Sequence, residues 1–194
     1  MTDPRIATVQ KHMELSIQTL NAVSAECIPS ILEAADLITK AFENGNKLMI
    51  CGNGGSAADS QHMAAEFVSR LRKDRPRDAL PAIALTTDSS FLTAFANDIT
   101  FEGIFARQIE ALGKEGDVLL GITTSGTSKN VILACAEAQK KGMIVIGLTG
   151  PNGLLCDATH TITVPGKDTQ CIQESHIVIE HLICELIEDH LFPA

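Results

Sequence analysis

Apolar residues in the first 45 positions recur at the three- and four-residue spacing that is typical of helices. One series spans Leu15–Val23 and a second spans Ile31–Ile38. Pro29 lies between the two series, and because proline interrupts a helix, the pattern predicts two helices rather than one. Asn44–Asn46, with the sequence NGN, then predicts a turn.

Beyond this turn, short apolar runs alternate with helical patterns. The predicted strands lie within Lys47–Gly55, Pro81–Asp88, Gly116–Asn130, Met143–Gly150 and Thr159–Gly166. The predicted helices are Ser56 to about Arg72, Ser90–Asp98, Phe101–Gly113, Val131–Lys141 and about Gln173 to Leu191. Strands that alternate with helices predict an α/β fold, a doubly wound parallel sheet flanked by helices on both faces.

Length and composition predict one globular domain, residues 1–194, since the chain has 194 residues of which 45% are hydrophobic. Residues 1–45 form an N-terminal helical extension whose apolar faces need a partner, and we expect it to pack in an oligomer. The formal net charge of −9 and the absence of Trp and Tyr argue against direct binding of nucleic acid. We expect the basic run Arg70–Arg77 to be a solvated helix end and loop.

The six cysteines indicate a reducing compartment. They form no CxxC pair and most of them lie within apolar runs, so we expect buried free thiols in the cytosol. The N-terminus lacks the apolar segment of a signal peptide, and no apolar run approaches the length that spans a membrane. These observations predict a soluble cytoplasmic protein with no membrane partner.

Two loops at predicted strand ends are rich in glycine and hydroxyl groups: GNGGS (Gly52–Ser56) and TTSGTS (Thr123–Ser128). Each leads into a helix, where backbone N–H groups and the helix dipole favour an anion. Each is also compatible with a helix cap or a tight turn. No Gly-Lys-Ser or Gly-Lys-Thr follows GNGG, and the GxGxxA match lacks its acidic partner, so a small phosphate monoester fits better than a nucleotide.

Further polar residues are candidates for chemistry. His62 and Glu66 are four residues apart and share a helix face, as expected for a metal pair, an acid/base pair or a solvated surface pair. Gln173 and His181 are eight residues apart on the last helix, and this spacing allows but does not require that they face one site. Asn97–Asp98 is a polar pair after an apolar run, or a helix cap.

Four segments, in chain order, resemble sugar isomerase (SIS) domains and, more closely, the phosphoheptose isomerase family: CGNGGSAADSQHMAAE, AFAND, GDVLLGITTSGTSKN and CIQESHIVIEH. The resemblance covers essentially the whole chain. It implies an aldose–ketose isomerase that converts sedoheptulose 7-phosphate to D-glycero-D-manno-heptose 7-phosphate through an enediol, in the synthesis of ADP-heptose for lipopolysaccharide cores. It also implies zinc as cofactor and a homotetramer whose sites are built from more than one subunit.

The resemblance also assigns roles to residues. Glu66 would be the base and His181 the acid. The zinc ligands would be His62, Glu66, Gln173 and His181. The sugar phosphate would be held by Asn53, Gly54, Gly55, Ser56, Glu66, Asn97, Asp98, Thr123, Thr124, Ser125, Ser128 and Gln173.

The chain departs from the family pattern in places, and two rival functions stay open. Cys171 stands where relatives usually carry arginine, TTSGTS stands where STSGNS is common, and Arg70 has three open roles: a partner for Glu66, a phosphate ligand, or neither. The chain also resembles the DnaA initiator-associating protein, a non-enzymatic tetramer of the same fold, which looks to lack the counterparts of Glu66 and His181. The other rivals are an isomerase of another sugar phosphate and, more weakly, a sugar-phosphate sensor.

Overall fold

The computed structural model describes residues 3–193, and its centre is a parallel sheet of five strands. The strands are β1 (Leu48–Gly52), β2 (Ala82–Ala84), β3 (Val118–Thr123), β4 (Ile144–Thr149) and β5 (His160–Thr163). Their order across the sheet is β2-β1-β3-β4-β5, and all four neighbouring pairs are parallel. The doubly wound parallel sheet that the sequence predicts is thus confirmed.

Seven α-helices flank the sheet. They are α1 (Arg5–Glu26), α2 (Ile28–Glu43), α3 (Gly55–Val68), α4 (Ser89–Asp98), α5 (Ile104–Leu112), α6 (Lys129–Lys140) and α7 (Thr169–Leu191), with a short 3-10 helix at Phe101–Gly103. Pro29 lies in the first turn of α2, where its missing N–H costs no helical hydrogen bond. Within residues 3–193, no helix is long and apolar enough to cross a membrane.

Two predicted helix ends were wrong. The helix predicted to reach about Arg72 ends at Val68, because the chain turns there and the Leu71 N–H donates to Glu188 Oε1 at 2.9 Å. The last helix begins at Thr169, four residues before the predicted start. The helix begins with the polar residues Thr169 and Gln170, so apolar periodicity does not reveal where it starts.

The helices form one layer on each face of the sheet. Alternate residues of β1 point to opposite faces: Leu48 and Ile50 pack with α2, α3 and α7, whereas Met49 and Cys51 pack with α5 and α6. Every residue of β1 and of β3 is buried, as expected for central strands of a sheet that is covered on both faces.

The basic run Arg70–Arg77 contains one fully buried cation, so the prediction that the whole run is solvated was wrong. The side chains of Arg77 and Glu188 are both 0% exposed and lie 2.6 Å apart. Arg77 also donates to the backbone carbonyls of Glu66 and Phe67, at 2.7 and 2.9 Å. A buried guanidinium needs such a complete set of partners to offset the loss of hydration.

Candidate active site

The two glycine- and hydroxyl-rich loops lie side by side at the point where the strand order reverses. The strands that precede them, β1 and β3, are neighbours in the sheet. From β1 the chain passes through α3 to β2 on one side, and from β3 it passes through α6 to β4 on the other. Such a switch point opens a crevice at the carboxyl edge of an open α/β sheet, where ligands bind.

The second loop, Thr123–Ser128, presents a group of hydroxyls at the start of α6. Thr123 Oγ1 lies 3.0 Å from Ser128 Oγ and 3.4 Å from Ser125 Oγ. Ser128 occupies the N-cap position of α6, yet its side chain does not cap the helix. The Lys129 and Asn130 N–H groups therefore remain available beside the hydroxyls, an arrangement that suits a phosphate group, whereas the Val131 N–H donates to Asn130 Oδ1 at 3.0 Å.

The backbone of the second loop needs glycine at position 126. Its φ of +74° is in the left-handed region, and a Cβ there would lie 1.8 Å from the Gly153 carbonyl oxygen. Two further predicted positions belong to this loop: Thr124 is half-buried and Ser125 is exposed. Ser125 also accepts a hydrogen bond from the Thr127 N–H at 3.2 Å.

The first loop, Gly52–Ser56, is joined to the second by a pair of amides. Asn53 and Asn130 each donate to the other, both at 2.8 Å. Gly54, at φ +56°, precedes α3 and offers no side chain to cap it. Asn130 is buried and follows the second loop by two residues. In the sequence, only its place just after the loop points to a role in the site, and Asn130 was not among the predicted site residues.

A seam between α3 and α7 lies beside the first loop. Gln173 Nε2 lies 3.4 Å from Asp59 Oδ2, and a Cβ on Gly55 would come within 1.6 Å of the same Gln173 nitrogen. Farther along, His62 meets His181. Residue numbers increase together along both helices, so α3 and α7 run in the same direction. Gln173 and His181 therefore both face α3, Gln173 at Asp59 and His181 at His62.

Two imidazoles and a carboxylate converge on this seam. The Nε2 atoms of His62 and His181 are 2.7 Å apart, and Glu66 Oε1 is 3.6 Å from His62 Nε2. The side chains of His62 and Glu66 are 42% and 19% exposed. Arg77 donates to the backbone carbonyl of Glu66. This bond holds in place the end of α3 that carries the Glu66 side chain.

Two ionisable groups of α7 are buried close to the seam. Burial, with a smaller effect of the Asp59 carboxylate, raises the pKa of Glu180 to about 9, so this side chain is protonated at neutral pH. Burial lowers the pKa of His176 to about 4, and neutral His176 donates through Nε2 to the Thr149 carbonyl at 3.2 Å. The spacing of polar residues along α7 does not indicate which of Gln173, His176, Glu180 and His181 belong to the site.

Some predicted site residues are not linked to this group. Asn97 and Asp98 are exposed at the end of α4, where Asn97 donates to Asp98 Oδ1 at 2.7 Å. Arg70 lies beyond the end of α3 and is exposed, and in residues 3–193 it has no ion pair. Ser56 is buried in the first turn of α3, and its carbonyl accepts from Ser60 Oγ at 2.7 Å.

The predicted zinc ligands are only partly gathered. We searched residues 3–193 for groups of at least three His, Cys, Asp or Glu ligand atoms that all lie within 4.8 Å of one another. One such group is present, and it consists of His12, Cys171 and Glu174. The predicted set contributes the close pair of His62 and His181, with Glu66 one helical turn from His62.

Comparisons with known proteins are consistent over nearly the whole chain. The family described as the SIS domain matches residues 12–150. The chain is 48% identical to the phosphoheptose isomerase of Aneurinibacillus thermoaerophilus over 190 residues, which cover 95% of this chain and 94% of that protein. It is 49% identical to the phosphoheptose isomerase of Synechocystis over 183 residues, which cover 93% of each.

Solved structures agree. The phosphoheptose isomerase from Neisseria gonorrhoeae superposes with a TM-score of 0.87 at 41% identity, covering 94% of this chain and 98% of that one. The phosphoheptose isomerase from Francisella tularensis gives a TM-score of 0.91 at 38% identity, covering 97% of this chain and 100% of that one.

Proposed function

The chain belongs to the SIS domain family and, within it, to the phosphoheptose isomerases, and from that premise we propose that it interconverts sedoheptulose 7-phosphate and D-glycero-D-manno-heptose 7-phosphate. One observation carries the proposal: a carboxylate and two imidazoles converge beside two loops suited to a phosphate. We assign the reaction to ADP-heptose synthesis for lipopolysaccharide cores, in the cytoplasm, on the family likeness alone.

The reaction moves one proton from C1 of the ketose to C2 of the aldose. Glu66 takes the C1 proton, and the electron pair of the C–H bond forms the enediol double bond while O2 gains a proton from His181. Glu66 then returns its proton to C2, and His181 recovers the hydroxyl proton of O1 as the aldehyde forms. A carboxylate can accept the carbon proton, and an imidazole can donate and recover the oxygen protons, when each lies within hydrogen-bond reach of the reacting atoms.

The far end of the substrate supplies the binding energy that holds C1 and C2 in place. The phosphate lies against the Thr123, Ser125 and Ser128 hydroxyls and the Lys129 and Asn130 N–H groups at the start of α6, where hydroxyl and amide donors together favour an anion. The amide pair of Asn53 and Asn130 keeps the first loop in register with the second. Asn53, Gly54, Gly55, Ser56, Thr124 and Gln173 then line the sugar.

The kinds of donor atom at the seam are those that zinc binds, although the four side chains are only partly gathered. His62 and His181 supply imidazole nitrogens and Glu66 a carboxylate oxygen, all common zinc ligands. Gln173 points its Nε2 at Asp59, which leaves its amide oxygen free as a weaker fourth ligand. When bound, zinc would act as a Lewis acid toward the carbonyl oxygen of the sugar.

We propose a homotetramer in which residues 1–45 extend the single domain 1–194 and pack between subunits. Four apolar side chains on one face of α1 are between 48% and 62% exposed: Ile6, Val9, Met13 and Ile17. They recur at three- and four-residue spacing, which is the pattern of a helix face that another helix covers. Sites built from more than one subunit would also give Asn97 and Asp98 a role.

Isomerisation in D2O tests the proposal. Proton transfer through an enediol exposes the Glu66 proton to solvent, so the aldose product should carry deuterium at C2, detected by NMR. Fructose 6-phosphate and ribulose 5-phosphate, assayed in parallel, distinguish an isomerase of another sugar phosphate. Absence of turnover with all three substrates, with and without added zinc, would contradict the proposal.

A further inference from the structure

Four side chains meet where α1 crosses the first turns of α7, apart from the seam that carries His62 and His181. His12 Nε2 lies 2.8 Å from Glu174 Oε1, and Ser16 Oγ donates to Glu174 Oε2 at 2.6 Å. Ser16 Oγ is also 3.7 Å from Cys171 Sγ. The proposed isomerase mechanism uses none of these four residues.

The positions of these residues follow from helix geometry. Cys171 and Glu174 are three residues apart on α7, and His12 and Ser16 are four residues apart on α1, so each pair shares a helix face. The His12, Cys171 and Glu174 ligand atoms all lie within 4.8 Å of one another. Cys171 is buried, whereas the side chains of His12 and Glu174 are 46% and 44% exposed, so an ion can reach the group from solvent.

We propose that His12, Cys171 and Glu174 form a second metal site, which binds zinc or a similar transition-metal ion through nitrogen, sulfur and oxygen. Ligand atoms around a tetrahedral zinc ion lie about 3.3 to 3.6 Å apart, so small side-chain movements close the group around an ion. The thiolate and the imidazole favour zinc, cobalt or nickel over magnesium or calcium. A water molecule completes the coordination, and Ser16 orients the Glu174 carboxylate as an outer partner.

Metal binding here releases one proton. The Cys171 thiol loses its proton to solvent, and the Sγ–metal bond replaces the S–H bond. Neutral His12 binds through Nε2 after its single ring proton moves, by exchange with solvent, from Nε2 to Nδ1, and Glu174 exchanges its hydrogen bond with His12 for a bond to the metal. No oxidant or reductant takes part.

The site would fasten α1 to the body of the subunit. Of the residues of α1, Thr19 and Val23 are the buried ones, and both lie in its C-terminal half. The N-terminal half therefore has little apolar contact within the chain, and the cluster of His12 and Ser16 with α7 is its polar attachment. A metal ion that joins both helices would stabilise this end of α1, since an ion that binds only the folded arrangement favours it.

Cobalt(II) titration of the full-length, chelator-stripped protein tests the proposal, because sulfur ligands give a near-ultraviolet charge-transfer absorption that nitrogen and oxygen ligands lack. We expect this band in the wild type. We also expect it in His62→Ala, since the proposed isomerase site contains no sulfur, and in Cys156→Ser, which alters the half-exposed thiol. The band should disappear in Cys171→Ser.

The other ligands give a second readout. By competition with a chromophoric chelator, zinc affinity at this site in the His62→Ala background should fall more than about 100-fold in His12→Ala. In Ser16→Ala it should fall about 10- to 100-fold, as for an outer partner. Zinc should also slow hydrogen exchange of residues 5–15. The proposal is overturned if the wild type shows no sulfur band, if the band persists in Cys171→Ser, or if His12→Ala leaves zinc affinity unchanged.

Discussion

The Nε2 atoms of His62 and His181 lie 2.7 Å apart across the seam between α3 and α7. At that distance the two nitrogens share one proton, so one imidazole donates and the other accepts. Binding of one metal ion to both would replace that proton. The pair therefore links the proposed acid of the reaction to the proposed zinc site.

Replacing His62 by alanine should weaken zinc binding at this seam. In a Cys171→Ser background, which removes the sulfur site, the loss of one imidazole ligand should lower zinc affinity by more than about 100-fold, since loss of an outer partner alone costs about 10- to 100-fold. Zinc content after dialysis and competition with a chelator measure this. His160→Ala, which alters a histidine outside the seam, serves as control. Equal zinc retention in the His62 and His160 variants would exclude His62 as a ligand.

Gly55→Ala should disable the site without unfolding the chain. The added methyl would lie 1.6 Å from Gln173 Nε2, so the glutamine must leave the seam. We expect turnover to fall about 100-fold, the order of loss for a misplaced active-site group. If displacement of Gln173 is the cause, Gly55→Ala combined with Gln173→Ala should be no less active than Gln173→Ala alone. A fully additive loss would contradict this explanation.

Arg77→Met should destabilise the protein strongly. It leaves the Glu188 carboxylate buried without its cation, and breaking such a pair costs about 3 to 5 kcal/mol. Arg107→Met, which removes an exposed ion pair with Glu110, should cost at most about 1 kcal/mol. Urea unfolding at one fixed protein concentration compares the two variants. A similar loss in both would mean that the buried pair does not anchor the end of α3.

Glu180→Gln should change how stability depends on pH. The unfolded chain releases the Glu180 proton near its ordinary pKa of 4.5, whereas the folded chain keeps it until about 9. The folded state thus binds more protons in this window, and the wild type loses stability as pH rises through it, by at most about 1.4 kcal/mol per unit.

The glutamine variant lacks this titration, so its stability relative to the wild type should increase steadily from pH 5 to pH 8 in metal-free protein. His176, whose folded pKa is about 4, destabilises both proteins equally as pH falls below 6.5. Thermal unfolding across this range checks the difference, and parallel pH curves for the two proteins would show that Glu180 is ionised when folded.

Local sequence patterns could predict the helices and strands of this fold because the pattern of apolar residues in each element depends on which of its faces are buried. A central parallel strand such as β3 is buried on both faces and is therefore a continuous apolar run. The shared face of His62 and Glu66 likewise follows from helix geometry alone.

Contacts between distant segments could not be predicted in this way. Arg77 and Glu188 are 111 residues apart, and Asn53 and Asn130 are 77 apart. No local spacing indicates that α3 and α7 run side by side in the same direction. For the same reason, the meeting of His12 with Cys171 and Glu174 appears only in three dimensions.

Turnover of sedoheptulose 7-phosphate by the wild type beside Glu66→Gln is the most direct test of the central claim. The glutamine keeps the shape of Glu66 but cannot accept the carbon proton. We therefore predict turnover in the wild type, a loss of at least about 100-fold in kcat in the variant, and unchanged sugar-phosphate binding, since general-base catalysis contributes about 100- to 10,000-fold. Full activity of Glu66→Gln would contradict the account.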